Sequence, residues 1–116
     1  MIEPYHVEST CPAGAAEDTS VTVRRDGRIA GKIRVFFPPG PEGTLQISLA
    51  VTGSDGSSRN LITFPGANYI TGDSTTLEYE CTAPLWANEV IVVSANNTDG
   101  VNDHAYAVIF SIDYGG

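Results

Sequence analysis

The sequence predicts an all-β protein, an antiparallel β-sandwich of about eight strands in a jelly-roll-like arrangement, formed by one domain over residues 1–116. Three observations predict it. Twelve Gly and seven Pro, with many Thr, Val, Ile and Ser and a single Lys, favour strands and turns over helices. Apolar residues recur with a period of two, so each such segment buries one face. Turn-forming residues punctuate the chain at short intervals.

A first strand over 2–9 runs into a turn-rich connection from Cys11 to Asp18, and a second strand over 19–24 stops at Asp26-Gly27. The third, over 28–37, places Ile29, Ile33, Val35 and Phe37 in one phase; Phe36-Phe37-Pro38-Pro39-Gly40-Pro41 then ends it, because proline cannot continue a ladder. In the fourth, over 44–52, Leu45, Ile47, Leu49 and Val51 share a face. Gly53 to Ser58 leads to a strand over 59–64, Pro65 to Ser74 to one over 75–81, and Thr82 to Asn88 to one over 89–96. The last, over 105–114, aligns Tyr106, Val108, Phe110, Ile112 and Tyr114, and Gly115-Gly116 should fray. The Cys, Trp and Cys order of an immunoglobulin domain is absent, since Trp86 follows both cysteines.

If successive strands alternate direction, the loops 11–18, 38–43, 65–74 and 97–104 gather at one end and the remaining connections at the other. Cys11 and Cys81 then lie roughly 20 Å apart at about 3.3 Å per residue, so two free thiols are expected, with a disulfide as the alternative if the first loop folds back. The turn at Arg25-Asp26-Gly27 suggests a hairpin between the second and third strands. A three-residue loop with a bulged Gly27 sets Val23 against Ile29 and Val21 against Gly31, which keeps the apolar face consistent where a two-residue loop does not. That register faces Arg24 with Arg28 and continues the row through Lys32 and Arg34.

Five of the six basic residues, Arg24, Arg25, Arg28, Lys32 and Arg34, thus occupy eleven positions of a chain with formal charge −8. An acidic surface repels nucleic acid and anionic membrane, and no aromatic residues interleave the cations, so general nucleic-acid binding is not expected. The cluster reads either as a solvated edge guarded by charge or as an acceptor for carboxylates on another protein surface, such as Glu78 and Glu80 of a neighbouring copy. No segment resembles a membrane span, and the start has no basic region followed by an apolar run.

Other candidates are few. Tyr69 and Ile70 join the Phe36 to Pro41 segment as an apolar contact region, and Trp86 is either a core plug or an exposed anchor. Asn96 to His104 is rich in side-chain oxygens, which makes Asp99 and Asp103 weak candidates for calcium beside the ordinary reading of a polar turn; no cofactor is otherwise expected. His6 and His104 are the only histidines, and neither a nucleophile elbow nor a phosphate-binding glycine loop occurs, so no enzyme is expected.

In size, strand count and absence of a signal the chain resembles the capsid decoration and other accessory virion proteins of tailed viruses. The resemblance covers the whole chain as architecture and carries no motif. It implies a structural virion component that binds itself, a capsid or another virion protein. The alternative expectation is an extracellular glycan-binding or adhesive module, using Trp86, Tyr69 and Tyr106 as exposed aromatics.

Overall fold

Nine strands, no helix and two antiparallel sheets make up the computed structural model, which describes residues 1–40, 42–53, 55–61 and 69–115. The far half of the strand expected over 59–64, the first four residues of the 65–74 loop, Pro41, Ser54 and the expected fraying at Gly116 lie outside the described residues. In chain order the strands are β1 (Ile2–Cys11), β2 (Ala16–Thr22), β3 (Gly27–Phe37), β4 (Leu45–Thr52), β5 (Ser58–Asn60), β6 (Thr75–Cys81), β7 (Pro84–Leu85), β8 (Val90–Asn97) and β9 (His104–Asp113). The short β7 is the one strand the periodicity does not foresee, because two residues carry no alternation.

The pairing is that of a long hairpin wrapped on itself. Innermost, β4 pairs β5; around it β3 pairs β6, β2 pairs β8, and outermost β1 pairs β9. Wrapping adds the contacts β3 with β9 and β4 with β8, giving sheets ordered β1-β9-β3-β6 and β2-β8-β4-β5, with β7 beside β3. This nesting is a jelly roll. It also corrects the expected hairpin: β2 and β3 do not pair but lie in opposite sheets. Val23 stays with the β8 side, its N–H donating to Glu89 O (2.8 Å) and its carbonyl accepting from Asn88 (2.8 Å), before the chain crosses over.

The core lies between the sheets. Ile29, Ile33, Val35 and Phe37 from β3 meet Leu45, Ile47, Leu49 and Val51 from β4, with Ile91 and Val93 from β8 and Val108, Phe110 and Ile112 from β9. Burying each such side chain is worth about 1.5–3 kcal/mol. Tyr5 stacks on Phe110 with ring centroids 5.4 Å apart. Cys11 is buried and Cys81 half-buried, both as free thiols, in line with the expected separation.

The loops segregate as alternating direction requires. At one end Gly14 N–H donates to Asp99 O (2.9 Å), Thr98 N–H to Thr44 O (2.9 Å), and Gly40 N–H to Asp73 Oδ1 (2.7 Å). At the opposite end Ala87 N–H donates to Asp26 Oδ1 (2.9 Å), and Arg59 reaches Pro84 O.

Candidate functional site

The basic cluster does not form one row. Arg28, Lys32 and Arg34 point outward from β3, and the ladder between β3 and β9 shifts register between Ile29 and Ile33, where Gly31 adopts φ +94°. Lys32 faces Glu80 and Arg34 faces Glu78 across β6. Glu78 accepts from Arg34 Nε at 2.9 Å and lies 3.6 Å from Lys32 Nζ, and these cations hold its carboxyl below the usual range. Glu78 thus pairs with cations of its own chain, and Glu80 stands opposite Lys32 in the ladder. Arg24, expected opposite Arg28, instead pairs with Glu3 and lies 4.7 Å above the Tyr114 ring.

Arg25 and Arg28 differ from the other three. Arg25 sits 5.5 Å from the Tyr114 ring, Arg28 stands opposite Asp113 and Pro84 in the ladders, and neither forms an ion pair among the described residues. Trp86 is tied to the same turn through its neighbour Ala87 and is 53 % exposed. The core plug at this end is Leu85, not Trp86. Arg59 lies 5.1 Å over the indole while making a forked pair to Glu89 (Nη1 to Oε2 2.8 Å, Nη2 to Oε1 3.1 Å). Glu89 Oε1 also accepts from Trp86 N–H (2.7 Å), so the indole is held out by a bonded backbone.

At the other end Tyr69 is exposed, whereas Ile70 is buried and exchanges two backbone hydrogen bonds with Ile47 (2.9 and 2.8 Å). Ile70 is thus a core residue and leaves the contact region. Phe37 is buried and Phe36 faces outward. Tyr106, the third aromatic considered for glycan contact, is buried and donates to Glu17 Oε1 (2.8 Å); burial and that acceptor push its hydroxyl up to about 12.

Asp99 and Asp103 serve the loop itself. Asp99 Oδ1 accepts from Val101 N–H (2.9 Å) and Asn102 N–H (3.2 Å), and Oδ2 lies 2.9 Å from His104 Nε2. Because these bonds hold Asp99 ionised, it can only accept, so Nε2 carries the proton. Asp103 Oδ1 accepts from Ala13 N–H (2.9 Å). Among the described residues no group of three His, Cys, Asp or Glu side chains is placed to hold a metal.

The sequence missed Tyr114, Glu3 and the Arg59–Glu89 fork, which join positions far apart in the chain and leave no local signature. It also passed over the outer face of β2, β8 and β4. The alternate positions Gln46, Ser48, Ala50 and Thr52, and Val90, Val92, Ser94 and Asn96, are uncharged, a signal that was available.

No protein-family model matches the chain, and no curated protein matches it. Among solved structures it is similar to the Yersinia pseudotuberculosis-derived mitogen, with TM-score 0.53 and 9 % identity over 100 % of this chain and 91 % of that one. It is also similar to chains of infectious bursal disease virus: the Gt strain with TM-score 0.51, 12 % identity, 100 % of this chain and 32 % of that one, and the Gx strain with 0.50, 12 %, 98 % and 30 %. The likeness is one of fold. The chain spans about a third of the virus chains it matches. No described helix is long and apolar enough to cross a membrane.

Proposed function

We propose that the protein is a non-enzymatic assembly component of a virion that works through protein contact at its β7 end. The observation that carries this reading is the pairing pattern: Arg24, Lys32 and Arg34 are answered by carboxylates of the same chain, while Arg25 and Arg28, the latter opposite Asp113, form no ion pair among the described residues, and the exposed Trp86 precedes Ala87, which is bonded to the same turn. Arg and Trp are the residues that dominate binding energy at protein interfaces. Architecture supports the virion setting, since chains of a virus share the fold.

The partner the charges fit is a second copy. The opposite loop end carries Glu42, Asp73, Asp99 and Asp103 and no Lys or Arg among its described residues. Docking the end that presents Arg25 and Arg28 on the acidic end of the next copy is a head-to-tail contact, which builds rings or filaments. Size-exclusion chromatography with light scattering tests it. The native chain is expected to associate at low salt and dissociate at about 1 M, where the Debye length falls to about 3 Å. Arg25→Glu with Arg28→Glu should be monomeric at low salt and recover association when mixed with Glu42→Lys. A native chain that is monomeric at every salt concentration overturns the reading.

A further inference from the structure

We infer that the outer face of the four-stranded sheet holds a binding site for one ring of a neutral saccharide, beneath Tyr69. The register builds it. Asp18 of β2 lies opposite Ser94 of β8, which lies opposite Ser48 of β4, and the adjoining row runs from Ala16 through Asn96 to Gln46. These positions alternate with the buried Ala95, Val93, Ile47 and Leu49, so all point away from the core. Ile70 is bridged to Ile47 with its side chain in the core, which puts the preceding Tyr69 on the outer side next to β4, with 42 % of its surface exposed. Asp18, Gln46, Ser48, Tyr69, Ser94 and Asn96 line a shallow cavity of about 230 Å³ there.

The lining defines the ligand. Asn96 Nδ2 donates to Gln46 Oε1 (3.2 Å), which orients the two amides and leaves the Gln46 amino group and the Asn96 carbonyl for a ligand. The side chains of Asp18, Ser48 and Ser94 enter none of the hydrogen bonds or ion pairs found among the described residues. Adjacent donors and acceptors beside one aromatic face match a pyranose, whose hydroxyls bond both ways and whose C–H face packs on a ring. The outward positions of β2, β8 and β4 include no Lys, Arg or Glu, so an anionic sugar finds no counter-charge and meets Asp18. The cavity is smaller than the roughly 300–1,000 Å³ of drug-sized sites, and so takes one ring. Further rings of an oligosaccharide can lie along the uncharged row Ser20, Val92 and Ala50.

This site shares none of the residues named for the assembly contact, and a glycan array followed by titration calorimetry separates them. Neutral glycans should bind saturably, and sialylated or sulfated ones should not. Tyr69→Ala should weaken binding at least tenfold, and Ser94→Gln, which fills the cavity and leaves Tyr69 in place, should do the same. Trp86→Ala and the Arg25→Glu, Arg28→Glu pair should leave it unchanged. Absence of binding to every neutral glycan at millimolar concentration, retention of binding in both cavity variants, or loss on Trp86→Ala overturns the inference.

Discussion

Asp99 shows how far a single side chain governs the loop end. Its carboxylate collects Val101 N–H, Asn102 N–H and Nδ2, and His104 Nε2, and these bonds push its pKa well down, the Val101 bond first. The folded state therefore holds the proton less readily than the unfolded chain. The stability gained is complete above the ordinary carboxylate value near 3.8 and drains as pH falls below it toward the folded value. Thermal melts from pH 7 to pH 2 should show a steeper acid limb for the native chain than for Asp99→Asn, which should start less stable at pH 7. An equal pH slope in both proteins would refute the assignment. The sequence marked Asn96 to His104 as a polar turn, and the structure places the connection at 98–103, between β8 and β9. The donors that claim Asp99 were not legible, because they depend on the loop's path and not on composition.

Glycines at two places in β3 separate backbone strain from close approach. Gly31 occupies φ +94° at the register shift, and a Cβ there would meet nothing within 4 Å, so alanine costs only the left-handed strain, about 1 kcal/mol. At Gly27 a Cβ would stand 2.5 Å from Asp113 O and 3.2 Å from Tyr114 Cα, both backbone atoms that can move only by parting β3 from β9. Gly27→Ala should cost more, about 2–3 kcal/mol. Urea denaturation of the two variants checks the order. Strand positions were largely legible, with β3 expected over 28–37 and found at Gly27–Phe37, since alternation is a local property. The hairpin was not, and the expectation that Gly31 would sit opposite Val21 failed with it; Gly31 lies opposite Cys81 instead.

Across the whole molecule, the nested pairing makes the chain ends partners: Ile2 faces Asp113 and Cys11 faces His104, so β1 finds its place only when β9 exists. Most stabilising contacts join residues distant in sequence, and loop closure must precede their reward. Refolding from denaturant should accordingly take milliseconds to seconds, followed by stopped-flow fluorescence of Trp86; a microsecond phase that recovers the full native signal would contradict the topology. Charge is also a property of this scale. The acidic excess read from composition resolves into an acidic loop end and an opposite end where cations and carboxylates mingle, a division that appears only once the loops are gathered.

The sequence by itself determined the class, the strands and their inward faces, because a period of two and the conformational limits of Gly and Pro act within a few residues. It also separated the two loop ends, because antiparallel strands alternate direction. Only the tertiary structure decided which strands pair. An apolar face specifies burial but not a partner, and β2 can satisfy Val21 and Val23 as well against β8 and residues 88–89 as against β3. That choice split the basic cluster, gave Glu78 to Arg34 and Glu3 to Arg24, and left Arg25 and Arg28 exposed with no ion pair among the described residues.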